Sequence, residues 1–240
     1  MKCFKLTASI LVVSLLSSTA FAKAVMKGES LPASIYSWTG FYVGANGGIV
    51  NHTMNITDTQ GTSFLSTLQQ VSNPSMTGGL QAGYRRQIDF ANTSGVYGLE
   101  LSANISNASF DKQYGAPFAT YQLNFQHKLK DVALLEATGG IAADRTLFFL
   151  AAGLSWININ GSVTNEDTIA FFNSINLNKK VFGTALGGGL EYAFDNKLSL
   201  RFKVDLVTPN TYSAYDNIGD SFHIANNIVQ AVLGLNYKFA

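Results

Sequence analysis

The chain has 240 residues, of which 13% are charged and 12% aromatic, and its formal net charge is +1. Soluble domains usually carry about 25% charged residues, so the charged fraction is low for a water-soluble protein. The near-neutral balance gives no basic surface for a nucleic-acid partner. The one cysteine, Cys3, excludes a disulfide framework, so packing, hydrogen bonding or a membrane must supply the stability.

The first 22 residues have the pattern of an export signal. Lys2 and Lys5 form a positive start, an apolar stretch covers residues 6–16, and the segment ends on small residues at Ala20 and Ala22. A spanning helix needs about 20 apolar residues, and this stretch is shorter. We therefore predict cleavage after Ala22. Residues 1–22 are then a signal peptide.

After a short periplasmic lead-in, predicted at residues 23–37, the chain alternates between period-two segments and turn-rich connectors. Eight strands are predicted, at residues 39–50, 77–88, 95–106, 121–141, 146–157, 180–194, 197–207 and 225–239. Each has one apolar face and one small or polar face, as where Leu99 and Leu101 alternate with Glu100 and Ser102. Helical spacing of apolar residues is not sustained along the chain.

The fourth predicted strand is unusually long and leaves two alternatives. Leu129, Ala133 and Leu135 share one parity, with Lys128 and Glu136 on the other. The segment is either one long strand or two strands with a break near residues 130–131. One strand is favoured, because an unbroken parity across a turn would be a coincidence and because one strand gives the even total of outer-membrane barrels.

The connectors alternate between long and short. The long ones are residues 51–75, 107–119, 158–179 and 208–224, and the short ones are residues 89–94, 143–145 and 195–196. Short turns at one end and long loops at the other are typical of outer-membrane barrels, whereas a soluble β-sandwich would share only the strand alternation. The sequence therefore predicts an all-β fold, an eight-stranded antiparallel up-and-down transmembrane β-barrel at residues 38–240, monomeric in the outer membrane.

Charged residues within the predicted strands fall on the face opposite the apolar one. They are Arg85, Glu100, Glu136, Glu191, Arg201, Lys203 and Asp205. A lysine or arginine facing lipid at the midplane costs about 2 to 4 kcal/mol, which explains this placement. The interior of an eight-stranded barrel is just wide enough for side chains to fill it. We predict a polar network in the lumen, and the alternative is a narrow conduit.

Residues that could carry catalysis or bind a metal are sparse. The histidines His52, His127 and His223 lack metal-ligand spacing. Ser221 and His223 lie two apart near the start of the last strand, but no acid that would orient the histidine is fixed by the sequence. The glycine clusters lack the Lys-Ser/Thr of a phosphate loop. We predict no enzyme activity, no cofactor and no metal.

Several short motifs also resemble a known family. They are Trp38-Thr39-Gly40-Phe41-Tyr42-Val43-Gly44, Gly78-Gly79-Leu80-Gln81-Ala82-Gly83-Tyr84, Tyr97-Gly98-Leu99-Glu100, Asp144-Arg145-Thr146-Leu147-Phe148-Phe149, Gly187-Gly188-Gly189-Leu190-Glu191-Tyr192 and Leu233-Gly234-Leu235-Asn236-Tyr237-Lys238-Phe239. In this order they resemble the small outer-membrane β-barrels of the opacity-protein and OmpA-transmembrane-domain type. The resemblance implies that the closing aromatic residues Tyr237 and Phe239 form an assembly signal for the outer-membrane insertion machinery. The chain departs from the family pattern in that Ala240 follows Phe239.

For function, the favoured hypothesis is a structural or surface-interaction barrel. Its partners would be outer-membrane lipid and lipopolysaccharide, with a host or cell-surface ligand at the loops. Two alternatives stay open. One is a narrow diffusion channel, and the other is a lipid A-modifying outer-membrane enzyme that uses Ser221 and His223. Aromatic residues near strand ends, such as Trp38, Trp156 and Tyr192, are predicted to form interfacial girdles.

Overall fold

The structure is a computed structural model. It describes residues 36–58, 68–71, 74–90, 93–115, 122–165, 174–176, 178–215 and 221–239. The predicted signal peptide, the cleavage site at Ala22 and most of the lead-in lie outside these residues. Among the residues described, no helix has the length and apolar character needed to cross a membrane.

The regular structure of the described residues is β-strand. The strands are β1 Gly40–Asp58, β2 Leu68–Val71, β3 Ser75–Asp89, β4 Ser94–Ser106, β5 Ser109–Gly115, β6 Gln122–Ala143, β7 Thr146–Asn165, β8 Ser174–Asn176, β9 Lys179–Ala193, β10 Leu198–Pro209, β11 Tyr212–Tyr215 and β12 Ser221–Lys238. The eight long strands pair antiparallel in the order β1-β3-β4-β6-β7-β9-β10-β12, and β12 pairs with β1 to close the sheet. The predicted eight-stranded antiparallel barrel is confirmed.

The two ends of the barrel differ. At the turn end, the connections between long strands span residues 90–93, 144–145 and 194–197, and both ends of the barrel sheet, Gly40 and Lys238, lie there. At the loop end, β2, β5, β8 and β11 pair onto the long strands β1, β6, β7 and β12. Outer-membrane barrels have short periplasmic turns and long extracellular loops, so the turn end is the one we expect to face the periplasm.

The outer wall carries a belt of exposed apolar side chains. Leu80, Leu101, Leu150, Leu186 and Leu233 are each more than half exposed, although leucine is usually buried in soluble proteins. They alternate with inward side chains, as β-strand geometry requires. Such a belt is stable only against lipid, because in water it would form one contiguous apolar surface.

Toward the loop end, the long strands continue beyond the predicted bounds. β1 was predicted to end at residue 50 but extends to Asp58, and β7 extends to Asn165 instead of residue 157. The reason is an inversion of polarity. Above the belt, His52 and Met54 are buried inside while Asn51 and Thr53 lie on the opposite parity. There the sheet is apolar inside and polar outside, like that of a soluble protein.

β6 is one strand, but the unbroken parity predicted for it is wrong. The register to β7 shifts between Leu129 and Asp131, which makes Lys130 the extra residue of a β-bulge. Leu129, predicted on the lipid face, is fully buried inside. Lys128, predicted to face the lumen, is exposed instead. The odd-numbered positions therefore face outward below the bulge, as at Leu135, and inward above it, as at Leu129.

The turn between β9 and β10 is held by the carboxylate of Asp195. Its Oδ1 accepts the backbone N–H of Lys197 at 2.7 Å and that of Leu198 at 2.8 Å. These bonds favour the charged form and lower the pKa of Asp195 below its ordinary 3.8. The stability this group contributes is therefore present above the pKa of the unfolded chain and is lost as the pH falls through the folded pKa.

We expect a carbon-13 NMR titration of the Asp195 carboxyl in detergent to give a midpoint below 3.8. In Asn196→Gly, which keeps both donating N–H groups, the midpoint should stay low. A midpoint at or above the ordinary value would contradict the assignment of these two hydrogen bonds.

Candidate functional site

The lumen contains the seven charged residues that the sequence placed on the inner face. They are Arg85 on β3, Glu100 on β4, Glu136 on β6, Glu191 on β9, and Arg201, Lys203 and Asp205 on β10. Each is at most 4% exposed. Inward charges on a filled barrel must pair with each other, because an isolated buried charge is strongly unfavourable.

Two arginines and two glutamates cross-link opposite walls of the barrel. Arg85 Nη2 lies 2.8 Å from Glu191 Oε2, and Arg201 forms an ion pair with Glu100. The strands of each pair are separated by three others around the ring in either direction, so each pair spans the lumen. The longer contacts, Arg85 to Glu100 and Arg201 to Glu191, are both 3.9 Å. The four side chains therefore form a charged barrier across the lumen.

Lys203 bridges three carboxylates. It forms an ion pair with Glu136, and its Nζ lies 3.0 Å from Asp205 Oδ1 and 3.5 Å from Glu100 Oε1. Glu100 and Glu136 are directly opposite on neighbouring strands and share the inner face. Like charges in this arrangement repel. The ammonium of Lys203 offsets that repulsion and gives this residue a central position in the network.

Neutral side chains complete the network, and the sequence analysis did not single them out. Tyr42 donates to Glu100, Ser199 donates to Glu191 Oε1 at 2.5 Å, and Asn236 Nδ2 donates to the same oxygen at 2.9 Å. Gln230 Nε2 donates to Asp205 Oδ2 at 3.0 Å. All four have the inward parity of their strands, which is the signal that could have identified them.

An aromatic cluster lies on the turn-end side of the charged residues. Tyr36, Trp38 and Phe149 are buried there, and Tyr36 and Trp38 contact edge to face at 4.7 Å between ring centroids. The prediction that Trp38 belongs to an interfacial girdle is wrong, because Trp38 is only 2% exposed. Its backbone N–H donates to Gln87 Oε1 at 2.8 Å, which holds the entering segment inside the barrel.

Apolar side chains fill the lumen on the loop-end side of the charged residues. The buried cluster comprises Val50, Ala108, Leu129, Val132, Leu134, Ile157, Ile159, Val181, Ala185, Val207 and Ile228. It is drawn from all the long strands except β3 and β4, and Ala108 comes from the connection between β4 and β5. The described lumen therefore has three layers, which are aromatic at the turn end, charged in the middle and apolar toward the loops.

The histidines lie apart from one another. His52 is buried, with its Nε2 2.9 Å from Asn226 Oδ1, whereas His223 is exposed, with its Nδ1 3.3 Å from Ser213 Oγ. The side chains of His127 and Ser221 lie outside the described residues. Within the described part of the chain, no group of three or more His, Cys, Asp or Glu residues could hold a metal ion.

The last two aromatic residues lie on the outer wall at the turn end. Tyr237 is 39% exposed and Phe239 48% exposed, and their rings meet edge to face at 5.3 Å. An exposed pair at the end of the last strand is in the position where insertion machinery could reach it. Its role as an assembly signal stays a prediction.

The closed sheet, the apolar outer belt and the alternation of short turns with long connections define an outer-membrane β-barrel protein. The chain belongs to the outer membrane protein beta-barrel domain family, whose model matches residues 8–239. The predicted family type and outer-membrane location are confirmed.

The relatives are outer-membrane proteins. The 31 kDa outer-membrane immunogenic proteins of Brucella melitensis and Brucella suis are each 25% identical to this chain over 244 residues, covering 95% of it and 97% of the relative. Among solved structures, Neisserial surface protein A is 15% identical, with a TM-score of 0.39, and covers 84% of this chain and 98% of its own. The outer membrane protease OmpT from Escherichia coli is 12% identical, with a TM-score of 0.46, covering 83% and 97%.

Proposed function

We propose that this protein is a sealed outer-membrane barrel with a structural and surface-interaction role, and that it has no enzymatic activity. The observation that carries the proposal is the filled lumen. Ion pairs cross the barrel from Arg85 to Glu191 and from Arg201 to Glu100. Packed apolar side chains lie on one side of these pairs and packed aromatic ones on the other. An aqueous path would have to disrupt the ion pairs as well as the packed apolar and aromatic side chains.

The loop end supports the surface role. Four short strands extend the sheet there, and the long strands above the apolar belt present polar side chains outward, such as Asn51, Thr53 and Asn227. Surface connections placed by a rigid scaffold are a common position for binding function. Lipopolysaccharide and a ligand on a host or neighbouring cell are the partners that this surface would meet.

Planar-bilayer recording tests the sealed lumen. In about 1 M salt, we expect the folded full-length mature protein to give no single-channel current steps above the noise of a protein-free bilayer. The reason is that side chains fill an eight-stranded barrel. A porin added to the same bilayer is the positive control. Discrete steps whose size scales with salt would contradict the proposal and favour the diffusion channel.

The enzyme alternative has its own readout. Lipid A incubated with the folded protein should be unchanged by mass spectrometry. Hydrolysis that disappears in His223→Ala but persists in His52→Ala would identify an enzyme at the loop end and overturn the proposed role.

A further inference from the structure

Exposed lysines lie close together on one segment of the outer wall, just above the apolar belt. Lys128 and Lys130 are on β6, and Lys180 is on β9, with β7 between them. The register joins them across β7, because Asn160 is opposite Lys128 and Asn158 is opposite Lys180. We call these three residues the lysine patch. Neighbouring strands lie about 4.8 Å apart, so the patch is about 10 Å wide, and two residues along β6 make it about 7 Å tall.

The height of the patch is fixed by two aromatic residues directly below it. Trp156 precedes Asn158 by two residues on β7, and Phe182 follows Lys180 by two residues on β9. Their rings meet at 5.7 Å between centroids on the outer wall. Aromatic girdles mark the membrane interface of such barrels. Lys180, opposite Asn158, lies one step of the sheet, about 7 Å, farther out than the rings, and Lys128, opposite Asn160, lies two steps, about 13 Å, farther out. The headgroup layer is about 5 to 8 Å deep, so Lys180 lies within it and Lys128 lies just outside it.

Above the apolar belt, the exposed Lys and Arg side chains that the structure describes lie on this segment. On the opposite wall, where β1 and β12 rise above the belt, the described residues of outward parity include the uncharged Asn51, Thr53 and Asn227, and the one titratable side chain among them is His223. Among the described side chains of the patch segment, the one carboxylate is Asp131, which accepts a hydrogen bond from Asn158 at 3.3 Å. The net charge of the segment is therefore positive. Several lysines near headgroup height on one wall of the barrel attract anionic lipid headgroups.

From this geometry we infer that the lysine patch binds the phosphate groups of a glycolipid in the outer leaflet, that is, the phosphorylated lipid A part of lipopolysaccharide. The inference deepens the proposed surface role and rests on it. Acyl chains would lie along the apolar belt beneath Trp156 and Phe182, and the phosphates would meet the ammonium groups of Lys128, Lys130 and Lys180. The patch faces sideways into the membrane, which suits a lipid more than a soluble polymer.

Titration of the folded, detergent-solubilised mature protein with fluorescent lipid A tests the inference. Each lysine near a charged membrane surface strengthens binding about fivefold, so Lys128→Gln/Lys180→Gln should weaken binding about 30-fold. The matched control is Arg86→Gln/Lys197→Gln, which removes two exposed charges at the turn end. The control should bind within about twofold of the parent, because its charges lie at the other interface.

A second arm needs no variant. Lipid A from which both phosphates have been removed should bind the parent protein as weakly as intact lipid A binds the double variant. All proteins are first checked for the heat-modifiable electrophoretic shift of a folded barrel. Equal binding of both lipid forms, an equal loss in the control, or stronger binding to heparin than to lipid A would overturn the inference. Channel steps in the bilayer recording would instead overturn the sealed-barrel proposal and leave this result intact.

Discussion

Lys203→Met is expected to destabilise the folded barrel by about 4 kcal/mol, because removal of one partner of a buried ion pair leaves an uncompensated charge. In this protein the loss is concentrated, since Lys203 contacts Glu100, Glu136 and Asp205. Urea unfolding in phosphatidylcholine vesicles, followed by the fraction of heat-modifiable band, measures it. Methionine keeps an unbranched side chain and lacks the terminal ammonium group, so loss of charge dominates the effect.

The double variant Lys203→Met/Glu136→Gln is the control for this prediction. It removes the carboxylate that is directly opposite Glu100 and should recover at least half of the lost stability. A single variant as stable as the parent protein would show that Lys203 does not hold the carboxylates together, and the charged layer would lose its assigned role.

Gly153→Ala is expected to destabilise the barrel by about 2 kcal/mol, because overpacking forces neighbouring backbone to move. Gly153 lies on the inner face opposite Glu136. A Cβ added there would lie 2.0 Å from the carbonyl oxygen of Leu135 and 2.6 Å from the Cα of Glu136. Both atoms belong to the backbone, so no side-chain rotation relieves the contact.

Gly139→Ala is the matched control on the outer wall, where an added Cβ meets no atom within 4 Å. It should leave the urea midpoint unchanged or slightly raised, since alanine has less conformational freedom to lose than glycine. If the two variants unfold at the same urea concentration, the close approach of β6 and β7 at Gly153 is not required for the fold.

The sequence predicts the membrane belt well because lipid imposes a simple rule on it. Each strand that crosses the hydrocarbon layer must present apolar residues outward, so Leu99 and Leu101 fix the parity of β4 and leave Glu100 inside. The same rule places all seven charged residues in the lumen. The strand count follows from the same pattern, which is why the topology could be predicted from sequence alone.

The rule fails above the membrane, where water replaces lipid. There the apolar residues face the inside of the barrel. The apolar positions around Leu129 and Ile157 therefore mark the inner face, whereas in the membrane belt the apolar positions mark the lipid face. The bulge at Lys130 keeps the apparent parity continuous in sequence while the faces exchange in space. One alternation pattern applied along the whole strand therefore predicts ends for β1 and β7 that are too early, and it places Leu129 on the wrong face.

The partners within the lumen could not be predicted for a different reason. Arg85 and Glu191 are 106 positions apart and lie on opposite walls. Their contact depends on the shear of the closed sheet, which period-two patterning does not determine. Trp38 illustrates the same limit. An aromatic residue at a strand end fits both the membrane interface and the end of the lumen, and the path of the chain entering the barrel decides between them.

Single-cysteine labelling on intact cells tests most directly whether the loop end is the cell-surface face of the protein. Cys3 lies in the predicted signal, so one introduced thiol can be followed. Asn210 at the loop end and Asn196 at the turn end are both exposed. A membrane-impermeant maleimide should label Asn210→Cys on intact cells and should label Asn196→Cys only after the outer membrane is opened. Labelling of Asn196→Cys on intact cells, with Asn210→Cys protected, would contradict the orientation and the surface role built on it.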